Sequence, residues 1–192
     1  MPWKPGVSPW NALSEEGLAA WTQSFPGFQA TEPEETEGPP AGGSTLYAEF
    51  LSAYVMHNTF AHPSLAYHFG VLANPYAAVH LANNILTNFS VGIHRQGGGT
   101  GSVSTTYTLF WNNLHDYTTS AVTSSHEVHG DPVFAGGSDY RLTAASAAID
   151  AGRDVGVAYD FYGASRPWGD GFDIGAEEYP HRARVFLPLV AK

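Results

Sequence analysis

Three stretches of the chain alternate apolar and polar side chains and then run into an asparagine: residues 54–60, 80–86 and 107–113. In the first two, an apolar residue follows two places beyond it. The asparagines Asn58, Asn84 and Asn113 lie 26 and 29 residues apart, and Phe69-Gly70-Val71 is answered by Val91-Gly92-Ile93 at a spacing of 22. Alternation is the period of a strand with one buried face. Short strands recurring every twenty-odd residues, with no helical periodicity, predict a β-solenoid. In such a fold equivalent residues stack about 4.8 Å apart in parallel sheets. Alternate apolar residues fill the interior, and Asn58, Asn84 and Asn113 hydrogen-bond their neighbours as a ladder. Contact with a ligand is the alternative role for these asparagines. Leucine-rich repeats share the period but need a leucine frame that is absent here. Three imperfect repeats also leave a β-sandwich open.

The two ends read differently. Residues 1–44 form an N-terminal arm, in which Ser14 is placed to cap a short helix through Glu15, Glu16, Leu18 and Trp21. Residues 31–43 hold four glutamates and almost nothing apolar, so they bury too little to offset their ordering entropy and read as a linker or surface loop. The repeats occupy 45–130. From 131 to 192, Gly- and Asp-rich turns separate very short strands, which predicts a loop-dominated C-terminal cap. Its last stretch, 184–192, is apolar but too short to span a membrane.

Composition narrows the partners. Of 192 residues only 14% are charged, where an ordinary domain has about 25%. Eighteen acids against eight bases give a net charge of −10, which argues against a nucleic-acid backbone and an anionic membrane surface. The absence of cysteine excludes disulfides, thiolate metal sites and a cysteine nucleophile. No run approaches a membrane-spanning length. The opening Met1-Pro2-Trp3-Lys4-Pro5-Gly6 has no apolar core, so no signal peptide is expected in this chain.

Candidate chemistry is sparse in the repeats. Between Leu46 and Gly130 the charged residues are Glu49, Arg95, Asp116 and Glu127. Glycoside hydrolysis needs two carboxylates about 5–9.5 Å apart, and these acids do not recur at matching repeat positions. His57, His62, His68 and His80, then His126 and His129, are numerous enough for a zinc site but lack the H-E-x-x-H spacing, and ordinary turn hydrogen bonds suit them better. Asp150, Asp154, Asp160, Asp170 and Asp173 crowd the C-terminal block. Oxygen-rich loops suit calcium, although no D-x-D-x-D-G loop is present, and Arg153 or Arg166 can pin the same loops by pairing with these acids. Tyr54, Tyr107, Trp111 and Tyr117 offer a sugar-stacking stripe, of which Tyr107 and Trp111 are the chosen candidates; filling the interior is the alternative. The Gly97–Gly101 loop has no lysine and opens no helix, so it is no phosphate cradle.

The C-terminal block carries five ordered motifs: Gly130-Asp131-Pro132-Val133-Phe134, Asp139-Tyr140-Arg141-Leu142, Ser146 to Ile149-Asp150-Ala151-Gly152, Asp160-Phe161-Tyr162-Gly163 to Arg166-Pro167, and Asp173-Ile174-Gly175-Ala176-Glu177-Glu178. It resembles the choice-of-anchor module that ends secreted bacterial right-handed parallel β-helix proteins. Residues 84–93 look like a repeat of the same proteins, and Phe186–Val190 looks like their terminal motif. The second acid of the family's D-x-D-G is Tyr162 here. The resemblance implies an all-β fold, a short right-handed parallel β-helix with an irregular C-terminal cap. Asp131, Asp150, Asp160, Arg166 and Asp173 would be the structural residues of that cap.

By resemblance the location is extracellular or cell-surface, and the partner a polysaccharide or surface glycan. The expected function is a non-catalytic scaffold, adhesion or glycan-contact module, the C-terminal part of a longer protein. The alternative is a fragment of a polysaccharide lyase or glycoside hydrolase whose catalytic repeats are missing or degenerate. No catalytic residue is assigned. No cofactor is required, and calcium in the acidic block is the one candidate ion.

Overall fold

The computed structural model describes residues 44–48, 52–118, 122–137 and 139–180. Residues 1–43 of the expected arm, with its capping helix and acidic linker, lie outside the described residues, as does the terminal apolar segment. The described residues form strands and no helix. The first two strands are β1 (Ser44–Ala48) and β2 (Ser52–Met56). Then come β3 (Thr59–Ala73), β4 (Ala78–Ala82), β5 (Ile85–Arg95), β6 (Ser102–Thr106) and β7 (Leu109–Trp111). The shorter β8 (His115–Tyr117), β9 (Val122–Ser125) and β10 (Val128–His129) follow. One parallel sheet runs β1-β3-β5-β7-β10 with β8 beside β5, and a second runs β2-β4-β6-β9. The chain visits the sheets in turn, giving four successive strand pairs: β2/β3, β4/β5, β6/β7 and β9/β10.

The alternation in the sequence builds the core between the sheets. Ala53, Val79, Val103 and Val122 align across the second sheet. Phe60, Leu86 and Phe110 align across the first. All seven share one apolar cluster. β-Branched valine suits such a pleated surface. Burying Leu86 and Phe110, each at most 1% exposed, stabilises by about 1.5–3 kcal/mol apiece.

Within each strand pair the chain turns over two residues. The first has positive φ every time: His57 (54°), Asn83 (54°), Tyr107 (48°) and His126 (53°). Side chains with a Cβ adopt this region at a cost, Asn least. The second turn residues are Asn58, Asn84, Thr108 and Glu127. Asn58 and Asn84 stack as the ladder predicts. Asn84 Oδ1 accepts the Asn58 N–H at 2.9 Å, and Asn84 Nδ2 donates to the Val55 carbonyl at 2.7 Å.

Asn113 is a correction. The register places Ile85 opposite Leu109, so Thr108 takes the third ladder position, and its hydroxyl lies 2.6 Å from that of Thr105. The sequence spacing of 29 had skipped five residues. Asn113 serves a second column instead, accepting from Phe89 N and donating to Leu86 O, both at 3.0 Å. Beside it, Asn112 Nδ2 donates to Asn88 Oδ1 at 2.7 Å, and Asn88 Nδ2 donates to the His62 carbonyl at 2.5 Å.

The two sequence spacings of 26 and 22 are both genuine. β3 has 15 residues and β5 has 11, and the register slips between Ala61 and Phe69. The excess puts Pro63, which has no N–H to give a ladder, on an irregular stretch together with His62.

The C-terminal block begins with an antiparallel hairpin, β11 (Phe134–Gly136) and β12 (Asp139–Leu142). Leu142, Ala148 and Ile174 pack against Ile85 and Leu109. Those two alternate with the core residues Leu86 and Phe110, so the block covers the outer face of the first sheet. Gly175 approaches closest. Its φ is 103°, and a Cβ there would lie 2.6 Å from Ile85 Cδ1, so only glycine fits. Asn83, fully buried, fixes the block by its amide: Oδ1 accepts Arg153 N at 3.1 Å and Nδ2 donates to Arg153 O at 2.6 Å.

Candidate functional site: a cleft at Trp111

Trp111 ends β7 on the outer face, in register with Thr87 on β5. Ile85 and Leu109, on the same face, are covered by the C-terminal block. Trp111 lies beyond that cover and is 41% exposed. The hairpin stands beside it and leaves a cleft of about 240 Å³. Trp111, Phe134 and Tyr140 supply aromatic lining, with Phe134 and Tyr140 packed edge to face at 5.3 Å. His62 from the irregular part of β3, Asn88, and the acids Asp131 and Asp139 supply polar lining. A few polar groups converging on an aromatic surface is the usual make-up of a ligand site. The volume is below the ~300–1,000 Å³ of drug-sized sites and suits one small ring.

Of the two proposed stacking residues, only Trp111 lines this cleft. Tyr107 occupies the positive-φ column, where its ring stacks on His126 at 4.6 Å and 5° and the Arg153 guanidinium sits 5.9 Å from its centroid. Its faces are occupied by protein.

Four of the remaining motif residues, Asp150, Asp160, Arg166 and Asp173, gather in one network inside the block. Arg166 Nη1 pairs with Glu178 Oε1 at 2.6 Å, with side chains 1% and 0% exposed. Arg166 Nη2 donates to Gly175 O at 2.9 Å. Glu178 also accepts from Trp168 N and Asp173 N. Asp173 accepts from Asp150 N at 2.8 Å and Tyr179 N at 2.5 Å. Asp160 accepts from Tyr162, Ala164 and Glu178 N–H groups, and Asp150 accepts from Gly171 N. Asp131, at the block's start, accepts from Val133 N. Each motif acid thus satisfies backbone donors that loops without a ladder would leave orphaned.

Calcium takes six to eight oxygens. The network's carboxylates accept from N–H donors, and among the described residues no group of three or more His, Asp or Glu side chains is arranged to hold a metal ion. Burial pushes Asp173 up to about 6 and Glu177 up to about 7. Glu177 accepts from Leu142 N at 2.5 Å. Burial, with the Arg166 charge, pushes His57 down to about 4, so the ring is neutral and its Nε2 accepts from Asn83 Nδ2 at 2.9 Å.

One constellation escaped sequence reasoning. Asp116 and Glu127 have no shared repeat position, yet both reach His129: Asp116 Oδ2 lies 3.6 Å from Nδ1 and Glu127 Oε2 lies 3.1 Å from Nε2. Tyr117 donates to Glu127 Oε1 at 3.0 Å. Burial raises the Glu127 carboxyl, but hydrogen bonds from Ser124, His129 and Tyr117 outweigh it and hold the group below the usual range. Asp116 and Tyr117 lie on β8 and His129 on β10, strands with no further neighbour in the sheet among the described residues. The residues sit where the stacked columns stop.

Among the described residues no helix is long and apolar enough to cross a membrane. No protein-family profile, no curated protein and no solved structure matches the chain.

Proposed function

We propose that the chain is a non-catalytic module of an extracellular or cell-surface protein. In this reading it is a right-handed parallel β-helix whose C-terminal block is of the choice-of-anchor type, and it contacts glycans through the Trp111 cleft. The alternation of strands between two parallel sheets, at spacings of 26, 24 and 19 residues, supports the helix reading. The observation that carries the function is the pairing of an exposed, cleft-lining tryptophan with Asp150, Asp160 and Asp173, which are occupied in holding loops. Indole stacking supplies affinity for a sugar ring, while the block's carboxylates have no free pair for acid–base work.

The test is affinity electrophoresis of the full chain in gels cast with a panel of plant, algal and microbial polysaccharides. It is run beside assays for reducing ends and unsaturated products. Retardation without product is expected. Product release overturns the non-catalytic reading, and no retardation by any polymer overturns glycan contact.

A polysaccharide-cleaving enzyme remains the second reading, because Asp116 and Glu127 converge on one imidazole. That reading requires a turnover that Glu127→Gln abolishes.

A further inference from the structure

We infer that the Trp111 cleft accepts neutral and amine-bearing sugar rings and rejects uronic acids. The inference rests on the glycan-contact reading above and deepens it to a class of sugar. It follows from the charges around the indole. Among the described residues, no lysine or arginine lines the cleft. Of its two acids, Asp139 is compensated, because Arg141 Nε reaches both carboxylate oxygens at 2.9 and 3.0 Å and its Nη2 reaches Oδ2 at 2.5 Å. The same contacts tie Arg141 to Asp139, and Arg141 itself is not among the cleft-lining residues.

Asp131 has no such partner among the described residues. Its Oδ1 accepts Val133 N at 2.8 Å, and no side-chain cation pairs with it among the described residues. The second oxygen is left to solvent or ligand. Recognition of a carboxylate draws on arginine or lysine. A uronate on Trp111 would instead meet an uncompensated aspartate, whereas an ammonium would gain a partner. The hydroxyls of a neutral sugar lose nothing by that field. The cleft therefore ranks sugars by charge: amine-bearing above neutral, neutral above acidic.

The test is calorimetric titration of the full chain with three oligosaccharides of equal length: a β-1,4-glucosamine oligomer, a cello-oligosaccharide and an oligogalacturonate. At about pH 6 the amine and carboxylate are both largely charged. At low salt the glucosamine oligomer should bind at least tenfold more tightly than the galacturonate, with the cello-oligosaccharide between. Raising salt to about 1 M, where the Debye length falls to about 3 Å, should narrow the gap.

Trp111→Ala should weaken the glucosamine and cello-oligomers at least tenfold, and Trp111→Phe should retain part of the binding. Asp131→Asn, which keeps the oxygen that accepts Val133 N, should remove the glucosamine advantage and leave the cello-oligomer unchanged. Galacturonate binding as tight as glucosamine, and lost in Trp111→Ala, overturns the charge ranking while glycan contact stands. Binding of none of the three overturns the ranking and the sugar site together. A ranking that survives Asp131→Asn also overturns it.

Discussion

The Arg166–Glu178 pair is where a single substitution should do most to the C-terminal block. Both side chains are essentially sealed, at 1% and 0% exposure, with 2.6 Å between the charged atoms. At an effective dielectric of 20, that separation gives about 6 kcal/mol of direct attraction. Desolvating two ions costs several kcal/mol each, so the intact pair contributes little net stability. Removing one partner is another matter. Arg166→Met fills the volume but leaves Glu178 charged, buried and short of a donor, a situation that costs about 3–5 kcal/mol. A domain has about 5–15 kcal/mol to lose.

Glu178→Gln should cost a similar amount. It strands Arg166 and turns an NH₂ toward the Trp168 or Asp173 N–H that the carboxylate accepted. The double variant removes both charges and should cost less than the sum of the singles, with a coupling of about 2–3 kcal/mol. Urea unfolding with unchanged m-values reads these differences as shifts in midpoint. The effects should persist at about 1 M salt, since a sealed pair is poorly screened. An Arg166→Met midpoint within about 1 kcal/mol of wild type, or strict additivity in the double variant, would refute the reasoning.

Other positions give sharper contrasts. Asn83→Ala removes three side-chain hydrogen bonds that tie His57 and the Arg153 backbone together; urea unfolding should show a loss of about 2–4 kcal/mol, at about 1 kcal/mol or more per buried group. Asn84→Ala should destabilise by about 2–3 kcal/mol through Asn58 N and Val55 O without altering sugar binding, and an unchanged midpoint would dispose of the ladder. Glu177, raised by burial to about 7 from an unfolded value near 4.5, makes stability fall as pH rises through that window. Glu177→Gln keeps an oxygen for Leu142 N, so it should match wild type near pH 4.5 and exceed it at pH 8 by up to about 3 kcal/mol. Parallel stability–pH curves would refute that assignment. His57 acts oppositely: lowered to about 4, it should cost stability as pH falls through 6.5 toward 4.

Much of this architecture was legible, and the failures have specific causes. Strand periodicity exposed the repeating strands because interior positions tolerate few residue types. The Asn58–Asn84 ladder was visible because both positions kept the same side chain. Its third member was not, because threonine stands at Thr108, where the hydroxyl bonds within its own turn, to Thr105 and the Thr106 carbonyl. A chance asparagine five residues on then captured the pattern. Tandem asparagines at Asn83-Asn84 were a signal left unread: one faces the ladder, the other grips the C-terminal block. Trp111 could be proposed as one of a stripe of aromatics, but its exposure could not be told from interior filling until the register was known. Tyr107 could not be excluded without knowing that a positive-φ column would lay His126 against it. The Asp116–His129–Glu127 cluster was hidden because its members come from different strands and a turn, at spacings that match no repeat.

The cleft is a product of two irregularities that a regular stack would have forbidden. The four-residue excess of β3 over β5 carries His62-Pro63 out of register. The turn at Gly130-Asp131 sends the chain out of the parallel sheets into a hairpin. Gly130 has no side chain to spare at that point, since a Cβ there would meet the Ala147 Cβ at 2.6 Å. The hairpin is then held by Glu177 at Leu142 N and by Leu142 against Ile85 and Leu109. Trp111 is the next outward residue after Leu109 on β7, just past the edge of that contact. Its exposure therefore follows from where the docked block ends. The buried charges of the block matter to the cleft because they fix that edge.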